Sequence, residues 1–319
     1  MTQDLNEKKH FKAATKKGEF VRTDSGFRHW ITFDGAAGPS GVGGFKAEKD
    51  RYHLYLCWAC PWANRTQIFC SLKGLEDYIT MDFVHPLMGS ESWHFGDYPN
   101  STSDSLHGSA FMKDLYHMAD PDFDGVVTVP VLWDKHNNTI VSNESSEIIR
   151  MFNTAFNHLT GNTDDYYPEA LTAEIDALNE RIYNTLNNGV YRSGFATTQT
   201  AYESAVNELF DTLDYLETRL EGQDWLVDNT PTEADWRLFP TLIRFDPVYF
   251  GHFKCNRKRI VDYPNLWRYT RQLYAVKGVA DTIDMQQIKY HYYASHKSVN
   301  PTGIVPVGPD LDYSLELAP

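Results

Sequence analysis

Short apolar runs of strand length mark the first half of the chain, and a helical period dominates the second. Tyr52, His53, Leu54, Tyr55, Leu56 and Cys57 form one apolar, aromatic run, and Tyr78 to Val84 forms another, so both are expected to be strands. Between them, Pro61 suits the first turn of a helix, where its missing N–H is not needed, and Gly74 suits the stop; residues 60–73 are therefore expected to be helical. From His85 to Gly125 no period is clear, and the stretch is dense in Gly, Ser, Asp and His. A long loop is expected there, with a helix near Gly108 to His117, and an excursion of that length within a compact domain is more often functional than idle. Val126 to Asp134 reads as a strand broken by Pro130. A Lys-His-Asn-Asn turn at 135–138 and Thr139 to Ser142 complete a hairpin, after which Ser142 or Asn143 can cap a helix running from Glu144 through Ile148, Ile149 and Phe152.

Residues 155–167 have the composition of a linker. Beyond Pro168 the spacing of Ile175, Leu178, Ile182 and Leu186, and of Ala205, Leu209, Leu213, Leu216 and Leu220, predicts packed helices. Thr232 with Asp235 predicts the start of a further buried helix through Trp236, Leu238, Phe239, Leu242 and Ile243. After Lys289 the tail is expected to be irregular, with Pro301, Pro306 and Pro309. No internal repeat is present. The first half thus follows the order β-α-β, long loop, β-β-α, which is compatible with the thioredoxin arrangement, and the second half reads as all-helical with a C-terminal arm.

Composition narrows the class of function. The chain has 319 residues, 29 Lys and Arg against 43 Asp and Glu, and a formal charge of −14, which excludes a generic binder of nucleic-acid backbones. The basic cluster at Lys254 and Asn256 to Arg259 reads as solvated surface. No stretch approaches the ~20 apolar residues of a membrane span, and the N-terminus has no apolar core of a signal peptide, so no membrane partner and a cytoplasmic location are expected. The glycines from Gly35 to Gly44 lack both the Lys-Ser/Thr pair and the G-x-G-x-x-G spacing of phosphate loops.

Four cysteines, Cys57, Cys60, Cys70 and Cys255, are too few to staple a chain of this size, so they are expected to be thiols. Cys60 stands where the helix over residues 60–73 begins. A thiol there lies beside backbone N–H groups and the positive end of the helix dipole, and both favour thiolate. The competing reading is a buried structural cysteine. Arg65 is a further source of positive charge, of undetermined direction. Cys57-Trp58-Ala59-Cys60 also has C-x-x-C spacing, but in dithiol oxidoreductases the proline lies between the cysteines, whereas here it follows the second. A monothiol reaction through Cys60 is therefore favoured, with Cys57 an accidental or secondary partner. No Cys or His pairs stand at zinc-ligand spacing, and His291 and His296 have no obvious partners, so no metal is expected. Val129-Pro130 lies where a thioredoxin arrangement puts a cis proline. Glu144-Ser145 at a helix start can hold an ammonium and a carboxylate group, or serve as a plain cap.

At these residues the sequence resembles the glutathione transferase superfamily, and more narrowly its Xi class, the glutathionyl-hydroquinone reductases. The likeness lies in Cys60-Pro61-Trp62-Ala63, Thr128 to Asp134, Val141 to Arg150, Asn187 to Tyr191 and Asn300 to Ile304, and runs from about Trp30 to Pro309. Cys57 departs from it, where a small residue without a thiol is expected. The resemblance implies a glutathione transferase fold, α/β plus all-α. Its thioredoxin-like β-α-β-β-β-α domain with an N-terminal extension (about 1–45) would occupy residues 1–160. A helical domain with a C-terminal extension (about 290–319) would occupy residues 161–319.

It implies also a homodimer and two ligands, glutathione as co-substrate and a glutathionyl-hydroquinone. Cys60 would attack the glutathionyl sulfur, release the hydroquinone and form a mixed disulfide that a second glutathione resolves. By the same similarity, Val129 would pair with the cysteinyl part of glutathione, Glu144 and Ser145 would hold its γ-glutamyl end, and Trp93 would cover the site. Tyr191 and Tyr292, with Tyr293 as the alternative to the latter, would hydrogen-bond the hydroquinone and assist protonation of its ring carbon. Two rivals remain at this level: a general thiol transferase that removes glutathione from mixed disulfides, and a non-catalytic protein of the same fold that binds aromatic ligands.

Overall fold

The computed structural model describes residues 17–315, which divide into two compact units. The first comprises Thr23–Asp165 and Thr282–Gln287; the second comprises residues 17–22, Tyr166–Asp281 and residues 288–315. Neither is one continuous stretch. The return of Thr282–Gln287 to the first unit is not visible in the sequence pattern. Residues 1–16 of the expected N-terminal extension and 316–319 of the C-terminal one lie outside the described residues.

In the first unit the order is β1 (Tyr52–Leu56), α1 (Pro61–Lys73), β2 (Ile79–Phe83), α2 (Met112–Ala119), β3 (Val131–Asp134), β4 (Thr139–Ser142) and α3 (Ser145–Thr154). The strands form one sheet in the order β2-β1-β3-β4, with β1 and β2 parallel and the other pairs antiparallel. Every residue of β1 and β3 is buried, so the centre of the sheet is covered on both faces. Helix α1 packs against α3, and its end is sealed by Gly74, whose φ of 64° is the left-handed conformation that glycine adopts without steric cost.

Three boundaries differ from expectation. The strand expected from Val126 begins only at Val131, after Pro130, which has no N–H to donate to a ladder; the Val129-Pro130 bond is cis. Helix α2 starts at Met112 rather than near Gly108. Glu144 itself, not Ser142 or Asn143, caps α3, its carboxylate accepting the Ser146 N–H at 3.0 Å. The linker region also contains one short helical turn, Asn157–Thr160.

Two buried carboxylates tie down the long loop after β2. Asp82 accepts from the Ser105 N–H and hydroxyl, both at 2.7 Å, and from the Thr102 hydroxyl at 2.9 Å, and it lies 3.2 Å from His53 Nε2. Asp104 accepts from the Tyr55 hydroxyl at 2.9 Å and from the N–H groups of Leu106, His107 and Ser109. Burial alone would raise both carboxyl groups, but the donors outweigh it: His53 and Ser105 hold Asp82, and Ser109 and Tyr55 hold Asp104, below the usual carboxylate range.

In the second unit the helices are α4 (Thr172–Ile182), α5 (Gly189–Gly194), α6 (Gln199–Arg219), α7 (Glu233–Arg244) and α8 (Pro264–Tyr274). They are followed by α9 (Met285–Ser295), which starts within the segment assigned to the first unit. The expected irregular tail thus begins after Ser295, not after Lys289. Thr232 and Asp235 form the capping box expected at α7, and Asp235 also accepts from the Leu226 N–H and the Tyr269 hydroxyl. Single π-helical turns, Tyr183–Asn187 and Phe245–Tyr249, follow α4 and α7. Among the described residues no helix is long and apolar enough to cross a membrane.

Candidate functional site

Cys60 is the residue at which β1 hands the chain to α1. Its backbone is extended (φ −75°, ψ 120°), its carbonyl accepts the first helical hydrogen bond from the Asn64 N–H at 3.0 Å, and Pro61 occupies the next position. A first helical turn presents N–H groups that the helix does not use, and the dipole adds positive potential at the same end. Cys60 is 8 % exposed as a residue, and its Sγ donates to the carbonyl oxygen of Val129 at 3.5 Å. That carbonyl belongs to the residue preceding the cis Pro130. The cysteine and the proline, apart in sequence, are therefore adjacent in the fold.

The other thiols are held differently. Burial pushes the Cys70 thiol well up and pushes Cys255 up to about 12, so both stay protonated at neutral pH. Cys57 is 1 % exposed, and no disulfide joins any of the four. Arg65 is buried within α1, with its guanidinium 4.6 Å over the Trp62 ring. Asn64, on the same turn, donates to the Thr282 carbonyl and hydroxyl at 3.1 and 3.0 Å, which docks Thr282–Gln287 against α1.

Glu144 is held on both oxygens. One accepts from the Ser146 N–H and hydroxyl, and the other accepts from the Ser25 hydroxyl at 3.0 Å. Ser145, the first residue of α3, is buried beside it.

Ser25 comes from the N-terminal extension, whose described residues form no helix or strand of their own but run along β4. The His29 N–H donates to the Val141 carbonyl, the Asn143 N–H donates to the Phe27 carbonyl, and Arg28 pairs with Glu147. The Asn143 side chain accepts from the Phe27 N–H at 3.1 Å and donates to the Tyr116 hydroxyl at 3.1 Å. That hydroxyl donates to the Thr128 carbonyl at 2.9 Å and accepts from the Thr128 N–H at 3.2 Å. Tyr116 is thus a hub linking the residue before Glu144 to the residue before Val129. Ser25 and Tyr116 carried no sequence signal, and Asn143 carried only that of a helix cap, because each acts through contacts with residues distant in the chain. Trp93 is buried in the loop before α2, its carbonyl accepting the Met112 N–H at 3.0 Å.

The second unit carries a separate cluster of phenols. The Tyr191 and Tyr292 hydroxyls are 2.6 Å apart, and Tyr292 is 3.0 Å from a third, Tyr249. Tyr293, the alternative to Tyr292, instead donates to the Pro247 carbonyl at 3.3 Å. Tyr249 was missed in the sequence because it sits at the end of a π-helical turn, which breaks the 3.6-residue register. Phe253 packs edge-on to Tyr292 and against Tyr191, and it approaches Gly194 so closely that a Cβ there would lie 2.1 Å from its ring.

Burial keeps Tyr249 and Tyr292 protonated far above the ordinary phenol range. Two histidines adjoin them, His252 Nε2 and His296 Nδ1 being 3.1 Å apart. Burial, with the His291 charge adding to it, lowers His252 to about 4 and His296 well below its usual value. The cluster is accordingly a set of hydroxyls in an aromatic surround, with Tyr249 and Tyr292 held neutral by burial although the buried Arg244 guanidinium acts on both in the opposite direction. Among the described residues no group of His, Cys, Asp or Glu is arranged to hold a metal ion.

Comparison with known proteins agrees with this division. Family models of the glutathione S-transferase N-terminal domain and C-terminal domain match residues 59–155 and 199–272. The chain is 55% identical over 298 residues to glutathionyl-hydroquinone reductase YqjG of Escherichia coli, covering 92% of this chain and 91% of that one. It is 52% identical over 292 residues to glutathionyl-hydroquinone reductase PcpF of Sphingobium chlorophenolicum, covering 92% and 90%. Among solved structures, glutathione-bound YqjG superposes with a TM-score of 0.90 over 91% of this chain and 94% of that one. Glutathione transferase Xi from Phanerochaete chrysosporium does so with a TM-score of 0.90, 52% identity and coverage of 96% and 97%.

Proposed function

We propose that this chain, which belongs to the Xi class of the glutathione transferase family, reduces S-glutathionyl-hydroquinones to hydroquinones with glutathione as co-substrate. The observation that carries the reading is Cys60, at the N-terminus of α1 and 3.5 Å from the Val129 carbonyl. The likeness over more than nine-tenths of the chain to two proteins named for this activity supports it.

In the first half-reaction the Cys60 thiolate attacks the glutathionyl sulfur. The carbon–sulfur bond breaks, the ring carbon takes a proton, and the hydroquinone leaves a Cys60–glutathione disulfide behind. In the second, a glutathione thiolate attacks that disulfide, giving glutathione disulfide and regenerating Cys60. Val129 pairs its backbone with the cysteinyl part of glutathione. Glu144 and Ser145 take the ammonium and carboxylate of the γ-glutamyl end, and Trp93 lies over the tripeptide. Tyr191 and Tyr292 bind the hydroquinone oxygens as neutral donors and assist protonation of the carbon; their mutual hydrogen bond and the protonated state of Tyr292 support that role. The reading includes a cytoplasmic homodimer.

The test is hydroquinone and glutathione disulfide production, followed by chromatography. Cys60→Ser is expected to reduce the rate by about 10³-fold or more while leaving the fold intact. A variant that keeps its rate sinks the proposal.

A further inference from the structure

Cys57, three residues before Cys60, has a structural setting of its own. The Cys60 N–H donates to the Cys57 carbonyl at 3.1 Å, closing a four-residue turn between the end of β1 and the start of α1. Such a turn holds its first and last Cα atoms within about 7 Å, which overlaps the range of about 4.4–6.8 Å that a disulfide spans. The order of cysteine and proline disfavours a redox pair only if the second thiol must lie inside the helix. Here it lies the same three positions away in the opposite direction, and a backbone hydrogen bond holds the pair together. Cys57 is 1 % exposed against 8 % for Cys60, so an outside thiol is excluded from Cys57 while its neighbour is not.

We propose that Cys57 is a second, resolving thiol, which attacks Cys60 in the glutathionylated enzyme and closes a Cys57–Cys60 disulfide. The inference rests on the proposed function, since that reaction supplies the mixed disulfide. The Cys57 sulfur bonds to the Cys60 sulfur, the bond between Cys60 and glutathione breaks, and the Cys57 proton passes to the departing glutathione thiolate. Two glutathione molecules then reduce the protein disulfide and leave as glutathione disulfide, so the overall stoichiometry is unchanged. The second thiol is tethered beside its target, an advantage that no free thiol in solution has. The enzyme then holds its oxidised state as an internal bond rather than as a bulky adduct.

The experiment is a single turnover of the whole protein with a glutathionyl-hydroquinone and no free glutathione, quenched with iodoacetamide and read by intact mass. The wild type is expected to release hydroquinone and glutathione, escape alkylation at two thiols and lose about 2 Da. Cys57→Ser and Cys57→Ala are each expected to retain an adduct of about 305 Da. Cleavage after Arg51 and Arg65 places both cysteines in one peptide, residues 52–65, and Cys70 in another, so the disulfide is located directly. A wild type that keeps the 305 Da adduct while releasing hydroquinone overturns the role of Cys57 and leaves the proposed function standing. No hydroquinone release from any of the three proteins overturns both.

Discussion

At the scale of single residues, the contrast among four thiols is the instructive one. Cys70 and Cys255 are protonated by burial, while Cys60 is placed where a helix begins, so position in the fold rather than residue type sets the surroundings of each thiol. The same holds for the phenols. Tyr292 is the middle member of three hydroxyls and its neighbour Tyr293 is engaged with a carbonyl. Tyr292→Phe is expected to lower the rate on a glutathionyl-hydroquinone by about 10²-fold and to leave the rate on a small glutathione mixed disulfide within about 2-fold. Steady-state assays on both substrates check this, and equal losses on both would assign the residue a structural role. Tyr249→Phe removes an outer hydroxyl and is expected to cost about 10-fold on the first substrate alone.

At the scale of elements, the strap of residues 25–29 along β4 matters most. Asn143 joins it to Tyr116, and Tyr116 joins Thr128. Asn143→Ala removes the partner of two buried or half-buried donors and acceptors. It is expected to cost about 1–3 kcal/mol in chemical denaturation and to raise KM for glutathione more than it lowers kcat. Elements with a local signal were legible in the sequence: α1 from Pro61 and Gly74, and α7 from Thr232 and Asp235. So was the cis bond at Val129-Pro130, from the order of the elements around it. What was not legible depends on pairings across the chain or on broken periodicity. Ser25 meets Glu144 only after folding, Asp104 organises a loop that has no period, and Tyr249 follows a helix whose register changes. The strand that starts late, at Val131, and the helix that continues past Lys289 show the same limit. An apolar pattern marks what can be buried, not where hydrogen bonding begins or ends.

At the scale of the whole molecule, stability and assembly follow from groups that the chemistry does not use. His252 is lowered to about 4 by burial, with the His291 and Lys254 charges acting in the same direction; an unfolded histidine titrates near about 6.5. Above that pH both states are neutral there and stability is unaffected. Between about 6.5 and 4 the unfolded chain binds a proton that the folded one refuses, so stability falls with pH, by roughly 3 kcal/mol for this residue. His296 adds a loss of the same sign. A series of Tm measurements from pH 8 to pH 4 is expected to decline over that window, and His252→Gln to flatten it; a flat wild-type profile would contradict the assignment. Assembly is constrained by the way the two units are threaded. Thr282–Gln287 supplies the partners of Asn64 in α1, although most of the second unit is encoded before it. A ribosome making this chain therefore cannot release a finished first unit. The helix that carries Cys60 lacks its last support until nearly the whole polypeptide has emerged, and a fragment ended at Asp165 would lack it permanently.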